Sequence, residues 1–244
     1  MMIVVQYLRS IVFIVQMYIM LAVIAVGLFP VALIGGRDGA IWVCRAYCKW
    51  VCHSARWIVG LRTEIRGEVP SGDVLVASKH QSFLDILMIY AVVPRGKFIM
   101  KKELVWTPFV GWYAYLIGCI PVDRGKRGAA VRSMLAKVRE SRMMGGQLII
   151  FPQGTRVAPG VKREYKIGAG ALYKELQQPC IPAATNVGVF WPRHGVLRKP
   201  GVAVIEFLPV IPPGLKVSEF MERLEAEIEP ASDALMAEAG FVPR

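Results

Sequence analysis

The sequence has little acidic charge, only three histidines and no stretch of low complexity. It carries 30 lysines and arginines against 18 aspartates and glutamates, which leaves a net charge of +12 at pH 7. The basic excess lies in residues 61–215, whereas residues 216–244 are acidic. This distribution favours an anionic membrane surface or a phosphate-bearing substrate, with nucleic acid as the other standing explanation for a basic protein.

Recognition motifs for nucleic acid are missing. The basic residues are not accompanied by a helix-turn-helix, zinc-finger or aromatic-glycine RNA pattern. A basic, nucleic-acid-associated membrane protein is therefore the least favoured alternative, and it would bind DNA in a salt-sensitive manner. We expect no nucleic-acid partner.

The five cysteines follow none of the spacings that zinc sites use. Cys44, Cys48 and Cys52 recur every fourth residue, so they share one helix face, and His53 follows directly. A metal site is the alternative for this cluster, but we expect small buried apolar side chains and no metal. The cysteine content requires no oxidising compartment.

A long run without charge opens the chain. The stretch between Arg9 and Arg37 exceeds the ~20 apolar residues that a membrane-spanning helix needs. A signal peptide would have a shorter apolar core and a small-residue cleavage site, which this run lacks. A buried helix of a soluble domain would normally carry a polar stripe. The run therefore predicts a membrane anchor, with residues 1–36 as one long helix kinked near Pro30.

A second helix is predicted over residues 40–60, where tryptophans alternate with basic residues. The residues concerned are Trp42, Trp50 and Trp57 with Arg45, Lys49 and Arg56. Tryptophan beside basic side chains is typical of the membrane–water interface. We predict that residues 1–60 form the anchor, either as a spanning helix plus an interfacial helix or as a two-helix hairpin in one leaflet. The basic residues after the first helix favour a cell (inner) membrane location with the catalytic domain on the cytosolic face.

After Gly60, short apolar runs alternate with motif-bearing loops. We predict strands at 74–78, 97–100, 118–122, 148–151, 181–186 and 203–207. We predict helices at 83–93, 107–116, 131–144, 169–176 and 218–229, the last broken by Pro230. Strands alternating with helices predict an α/β domain over residues 61–244, with a mixed, largely parallel sheet flanked by helices.

His80 and Asp85 follow the predicted strand at 74–78 and lie five residues apart. In one continuous helix this separation turns about 500°, so the two side chains would diverge. Ser82 is a good N-cap residue, so we expect the helix to begin between them. Asp85 in the first turn can then accept a hydrogen bond from one imidazole nitrogen and leave the other free as a base. The alternative is a loop histidine with a structural hydrogen bond.

The sequence lacks a G-x-S-x-G motif that would supply a serine nucleophile, so the reacting hydroxyl is expected to come from the substrate. A second motif, FPQGTR at residues 151–156, leaves the predicted strand at 148–151. Ligands of parallel sheets gather at the carboxyl ends of the strands, so both motifs point into one crevice. Gly154 lets the backbone approach a ligand, and Arg156 can hold a phosphate through two donors. A surface salt bridge is the alternative for Arg156, and solvent exposure is the alternative for Lys101 and Lys102.

In these motifs the chain resembles the glycerolipid acyltransferase family, and within it the 1-acyl-sn-glycerol-3-phosphate acyltransferases. That family carries four ordered blocks, and the resemblance covers about residues 61–210. The matching blocks are His80 to Asp85; Lys101-Lys102-Glu103-Leu104 running to Gly118 and Asp123-Arg124; Phe151 to Arg156; and Ile181-Pro182-Ala183.

The resemblance implies acyl transfer from a thioester to the sn-2 hydroxyl of lysophosphatidic acid, giving phosphatidic acid. The acyl donor would be acyl-CoA or acyl-carrier protein, with no cofactor beyond this co-substrate, and the partners would be membrane lipids. His80 would be the general base, and Asp85 would fix its tautomer. Substrate-binding roles fall by resemblance on Lys101, Arg124, Gln153, Gly154, Thr155 and Arg156.

The chain departs from the family pattern at two positions. Gln153 stands where the family normally has glutamate, and we interpret it as a substrate-positioning residue because an amide can hydrogen-bond a glycerol hydroxyl. Lys79 stands where the family often has asparagine, which is expected to add positive charge beside the imidazole.

Two further alternatives stay open at this point. The same chemistry on another lysolipid, such as a lyso-aminolipid, would need no phosphate contact and would make Arg156 dispensable. A non-catalytic membrane lipid-binding protein is the second, and Gln153 is the feature that supports it.

Overall fold

The computed structural model describes residues 2–123, 127–141 and 145–242. The α-helices in these residues are α1 Met2–Gly27, α2 Phe29–Ile34, α3 Gly36–Val59, α4 Leu84–Val92, α5 Val110–Leu116, α6 Arg127–Ser141, α7 Gly168–Leu176, α8 Val187–Phe190 and α9 Val217–Glu238. A short 3₁₀ helix lies at Lys102–Trp106. The strands are β1 Leu61–Arg66, β2 Leu75–Ser78, β3 Lys97–Lys101, β4 Ile120–Val122, β5 Leu148–Ile150, β6 Cys180–Thr185 and β7 Gly201–Phe207.

The strands of the described residues form one seven-stranded sheet in the order β1-β7-β6-β2-β5-β3-β4. Strands β6, β2, β5, β3 and β4 run parallel, whereas β7 is antiparallel to β6 and pairs in parallel with β1. The predicted mixed, largely parallel sheet is confirmed. The edge strand β1 was not predicted, because its sequence LRTEIR is polar and only Leu61 in it is buried.

The two faces of the sheet bury two separate cores, because successive side chains of a strand point to opposite sides. Val76 and Ile149 pack with α1, α3 and α4 on one face. Leu75 and Leu148 pack with α6, α7 and α9 on the other. Strands buried on both faces are apolar without a break, which is why the sequence identified them so clearly.

The predicted single helix over residues 1–36 is wrong, because it is divided into α1 and α2. Helix α1 ends at Gly27, and Pro30 lies in the first turn of α2. Proline has no N–H to donate, and the first turn of a helix is where none is needed. Pro30 therefore starts a new helix rather than kinking an old one.

Helix α1 packs along α3 and is tied to the domain by polar side chains. Gln6 Nε2 donates to the backbone oxygens of Val59 at 3.0 Å and Arg198 at 2.7 Å. Ser10 Oγ accepts from the Arg198 N–H at 2.9 Å. The first sixty residues thus form an outer layer on one face of the sheet.

The predicted break at Pro230 is also wrong, because α9 continues through this residue to Glu238. Proline removes only one hydrogen bond of the helix. The helix keeps a buried stripe on both sides of it, made of Phe220, Leu224, Ile228, Ser232, Leu235 and Met236. Burial of this stripe against β6 and α7 outweighs the local preference of one residue.

The close packing of α2 against α3 depends on Gly39. A Cβ at Gly39 would lie 2.2 Å from the Val31 carbonyl oxygen, so α2 would have to move away. We expect Gly39→Ala to lower the free energy of unfolding by about 1–3 kcal/mol, measured by thermal unfolding in detergent micelles. Gly27→Ala is the matched control, since no atom lies within 4 Å of its added methyl group, and it should be neutral or stabilising. Equal free energies of unfolding for the two variants would contradict the close approach of Gly39 to the Val31 carbonyl oxygen.

Candidate active site

The sequence motifs leave the sheet along one edge. His80 follows β2, Pro152 follows β5, Lys101 ends β3 and Asp123 follows β4. All four strands run parallel, so these residues lie at the carboxyl ends, where ligands of such sheets bind. Because β2 and β5 are neighbours, the first and third motifs come together directly.

His80 and Asp85 form the hydrogen-bonded pair that the sequence analysis proposed. His80 Nδ1 lies 3.1 Å from Asp85 Oδ2, and the carboxylate is fully buried. An ionised carboxylate only accepts hydrogen bonds, so Nδ1 carries the proton. A neutral ring with its proton on Nδ1 has Nε2 free to accept, and 11% of the His80 side chain is exposed. The ring can take up a proton from a bound hydroxyl.

The loop between the two residues differs in detail from the expected N-cap. Helix α4 begins at Leu84 after Phe83, not directly after Ser82. The carboxylate of Asp85 reaches back instead, and its Oδ2 accepts from the N–H groups of Gln81 at 2.6 Å and Ser82 at 2.7 Å. Ser82 Oγ accepts from the Leu84 N–H at 3.2 Å. Asp85 therefore holds both the imidazole and the backbone that carries it.

The third motif clamps His80 from a second direction. The Phe151 ring stacks on the imidazole with centroids 3.9 Å apart and an angle of 18° between the planes. The Val157 N–H donates to the His80 carbonyl oxygen at 2.7 Å. This role of Phe151 was not predicted from the sequence, although its position at the end of the strand next to β2 was a usable signal.

The end of β6 contacts the carboxylate of the pair. Thr185 Oγ1 lies 3.4 Å from Asp85 Oδ1 and donates to the Val204 carbonyl oxygen at 3.0 Å. The fourth block, Ile181-Pro182-Ala183, lies within β6 and pairs with β2. This block therefore positions the segment that carries His80 through the sheet, and its side chains are buried.

The third motif ends in a basic loop. Gly154 has a φ of 67°, and its N–H donates to the Phe151 carbonyl oxygen at 2.9 Å, which closes a tight turn. Arg156 Nη1 donates to the Arg193 carbonyl oxygen at 3.3 Å, and Arg193 Nη1 donates to that of Arg156 at 3.1 Å. Each of these two arginine side chains thus donates to the backbone of the other residue, so the two guanidinium groups lie close to the same pair of loops. Arg193 was missed from the sequence because it lies outside the four blocks.

The remaining predicted residues are distributed unevenly. Thr155 is half-buried within the same turn. Lys101 is exposed at the end of β3, with its Nζ 3.6 Å from Glu103 Oε1. Lys102 donates to Asp123 at 2.6 Å. Arg124 lies outside the described residues.

The two positions that depart from the family pattern contact the same partner. Gln153 is fully buried, and its amide nitrogen lies 3.5 Å from Glu229 Oε1. The Lys79 ammonium pairs with Glu229 Oε2. The charge of Lys79 is therefore neutralised by α9, and the Gln153 side chain faces α9 rather than an open crevice.

The cysteine cluster lies on α3, away from these motifs. Cys48 is buried and Cys44 and Cys52 are half-buried, all as free thiols. Burial raises the pKa of the Cys52 thiol to about 11, so it stays protonated at neutral pH. In the described part of the chain, no three side chains of the metal-binding types come together.

Comparison with known proteins gives consistent matches. A family model described as Acyltransferase matches residues 61–186, just over half of the chain. The 1-acyl-sn-glycerol-3-phosphate acyltransferase of Pseudomonas aeruginosa is 28% identical over 199 residues, which cover 81% of this chain and 76% of that protein. The yeast Saccharomyces cerevisiae protein of the same name is 28% identical over 239 residues, which cover 91% and 76%.

A solved structure matches over nearly the whole chain. It is the 1-acyl-sn-glycerophosphate (LPA) acyltransferase PlsC from Thermotoga maritima, with a TM-score of 0.77 and 20% identity. The match covers 94% of this chain and 98% of that chain. At this level of identity the likeness shows a common fold.

The tautomer of His80 provides a test that needs no substrate. If Asp85 holds the proton on Nδ1, Asp85→Ala should move the neutral ring toward the Nε2–H form. The ¹⁵N chemical shifts of histidine-labelled protein in micelles report this change, and His80→Asn assigns the signal among the three histidines. Asp38→Ala is the control, because Asp38 is an exposed partner of Arg95 and should leave the His80 signal unchanged. An unchanged His80 signal in Asp85→Ala would exclude the proposed hydrogen bond.

Proposed function

The chain belongs to the Acyltransferase family, and on this premise we propose that it acylates the sn-2 hydroxyl of 1-acyl-sn-glycerol-3-phosphate from a thioester donor, forming phosphatidic acid. The observation that carries the proposal is the His80–Asp85 pair, with Nδ1 and Oδ2 3.1 Å apart. A basic loop beside the pair suits a phosphate-bearing acceptor. The donor is acyl-CoA or acyl-carrier protein, both of which are acidic.

The geometry suggests direct transfer. His80 Nε2 takes the proton of the acceptor hydroxyl, and the oxygen attacks the thioester carbonyl carbon. This attack forms the ester C–O bond and gives a tetrahedral intermediate, which collapses by re-forming the carbonyl and breaking the C–S bond. The leaving thiolate receives the proton from the imidazolium, which Asp85 stabilises in the meantime. No acyl-enzyme is needed, because the substrate supplies the nucleophile.

The substrate contacts are part of the proposal. Arg156, braced by Arg193, is placed to bind the phosphate with two parallel donors. Lys101 provides a second cation two strands away from His80, and Arg124 is carried over from the resemblance. Gly154 and Thr155 form the turn that shapes the site between base and phosphate. This arrangement favours lysophosphatidic acid over a neutral lysolipid.

Replacement of the base tests the proposal. We expect purified wild-type protein in detergent micelles to convert labelled acyl donor and lysophosphatidic acid to phosphatidic acid. His80→Ala should lower this rate by at least about 10³-fold with an unchanged melting temperature. His53→Ala, an exposed histidine on α3, is the matched control and should keep full activity. Near-normal turnover of His80→Ala would refute the mechanism, and activity with a lyso-aminolipid alone would identify the other acceptor class.

We further propose that residues 1–60 are the membrane-contacting layer and residues 61–244 the catalytic part. Among the described helices only α1 is long and apolar enough to cross a membrane. Its outer face exposes valine, leucine and isoleucine, whereas its inner face packs on α3. Association of α1 with a membrane follows from this surface.

The packing favours a hairpin lying in one leaflet. Helix α3 runs beside α1 and carries Arg45, Lys49 and Arg56 along its length. If α1 crossed the bilayer, α3 would bring these side chains toward the hydrocarbon. Burial of a basic side chain at the centre of the bilayer costs about 2.5–3.5 kcal/mol of free energy. An in-plane hairpin leaves them at the level of the anionic head groups. The basic surface suits the cytosolic face of the inner membrane.

An aromatic segment extends this layer toward the active site. Trp106 is 88% exposed, and Trp112 and Tyr115 are also exposed. The segment is joined to the hairpin, since Tyr113 donates its hydroxyl hydrogen to the Ala25 carbonyl oxygen at 2.8 Å. The membrane-facing surface therefore continues to the end of β3, where Lys101 lies. A lysolipid can reach the site sideways from the bilayer.

Depth measurements distinguish the in-plane hairpin from a spanning helix. Val4, Val15 and Val26 are exposed and lie on one face of α1, about three helical turns apart. Each is replaced by cysteine, labelled with a fluorophore and quenched by lipids with nitroxides at known depths. We expect equal depth at the three sites, and wild-type protein labelled in parallel corrects for the native thiols. A label at Val15 deeper than those at both ends would mean that α1 spans the bilayer.

A further inference from the structure

A carboxylate from the C-terminal helix enters the space between the first and third motifs. Glu229 Oε2 pairs with Lys79 Nζ, and Glu229 Oε1 accepts from the Tyr165 hydroxyl at 2.8 Å. The amide nitrogen of Gln153 lies 3.5 Å from the same Oε1. One side chain on α9 thus contacts the residue before the base, the centre of the third motif and the loop that leads into α7.

Lys79 depends on this partner. Its side chain is 3% exposed, and a buried ammonium group is strongly destabilising without a counter-charge. The Lys79 N–H donates to the Ala183 carbonyl oxygen at 3.0 Å, which continues the pairing of β2 with β6. The peptide that precedes His80 is therefore held by the sheet through its backbone and by α9 through its side chain.

Gln153 is the second group that Glu229 organises. It is fully buried, and its Oε1 has no hydrogen-bond partner in the described part of the structure. A glutamate at this position would place a buried negative charge beside that of the half-buried Glu229, which is unfavourable. An amide fits because the carboxylate is already supplied by α9. This accounts for glutamine where the family resemblance predicts glutamate.

The helix that carries Glu229 is rigidly attached near the base. The Thr185 N–H donates to Ser232 Oγ at 3.3 Å, and Asn186 Nδ2 donates to the Leu235 carbonyl oxygen at 3.1 Å. Burial and the negative charge of Glu229 raise the pKa of Tyr165, so its hydroxyl remains a donor to the carboxylate. Glu229 is therefore held by the attachment of α9 to the end of β6 and by the hydrogen bond from Tyr165.

We propose that Glu229 is a positioning residue of the acyl transfer, supplying from α9 the carboxylate that the third motif lacks. It acts through Lys79 and Gln153, which fix the segments carrying His80 and the Gly154 turn. The inference rests on the proposed function, because the positions it holds matter through that chemistry.

Relocating the carboxylate is the test. The variants are Gln153→Glu, Glu229→Gln and the double variant Gln153→Glu/Glu229→Gln, assayed with lysophosphatidic acid in micelles. Gln153→Glu should lower kcat at least about tenfold because a second carboxylate then lies beside Glu229, and Glu229→Gln should do so because Lys79 loses its counter-charge. The double variant should regain most of the activity, since the cluster again holds one carboxylate and one amide with Lys79 as the cation. KM for lysophosphatidic acid should stay within about twofold, because no phosphate contact changes.

Controls separate positioning from unfolding. Glu222→Gln removes an exposed carboxylate two turns earlier on α9 and should leave activity and melting temperature unchanged. Tyr165→Phe removes one hydrogen bond to Glu229 without changing any charge at neutral pH, and it should give a smaller loss of kcat in a folded protein. This variant decides the question if Glu229→Gln does not fold.

The outcomes distinguish this inference from the proposed function. An inactive wild type would overturn the proposed function and, with it, the role of Glu229. An active wild type with Gln153→Glu or folded Glu229→Gln at normal kcat would overturn the inference alone. A double variant no better than the weaker single variant would also overturn it, because the carboxylate would then not be exchangeable between the two positions.

Discussion

One buried carboxylate oxygen, Asp85 Oδ2, is the acceptor on which the site depends. Three donors converge on it: the Nδ1–H of His80 and the backbone N–H groups of Gln81 and Ser82. Without this acceptor two N–H groups would be left unsatisfied in the interior, which costs about 1–3 kcal/mol each. The same oxygen thus fixes the course of the loop, the start of α4 and the tautomer of the imidazole. The hydrogen bonds to this oxygen therefore stabilise the loop and orient the imidazole at the same time.

The rest of the site is arranged around that pair by the parallel sheet. Neighbouring strands β2 and β5 deliver His80 and the third motif to one edge, where Phe151 covers the imidazole ring. Strand β6 brings Thr185 beneath Asp85, and α9 closes the far side with Glu229. Asp85 and Phe151 contact the imidazole itself, Thr185 contacts Asp85, and Glu229 pairs with the neighbouring Lys79. The proposed role of His80 as a base requires such precise positioning.

The hairpin of α1 and α3 packs against the sheet that carries the candidate active site. Helices α1 and α3 form the outer layer of the same core that contains Ile149 and Phe151. The proposed membrane layer and the candidate active site are thus parts of one packed body. In the proposed function, a lipid acceptor stays partly in the bilayer while its head group reaches the basic loop at Arg156, and the thioester donor approaches from the aqueous side.

Much of the fold was predictable because its strands are short apolar runs buried on both faces, and because the four sequence blocks mark the carboxyl ends of those strands. Local chemistry also predicted the His80–Asp85 contact, since the two residues are close in sequence. The polar edge strand β1 was missed because pairing with β7 alone defines it. The passage of α9 through Pro230 was missed because a buried stripe, visible only once the helix is packed, overrides the local preference.

Sequence by itself determined the family blocks, the alternation of strands and helices and the apolar first helix, because these depend on local composition and short spacings. Tertiary structure alone decided that Lys79 is neutralised by Glu229, that Gln153 faces α9 and that Arg156 is braced by Arg193. Those contacts join residues far apart in the chain. Their partners are chosen by the geometry of packed elements, and no local pattern in the sequence records that geometry.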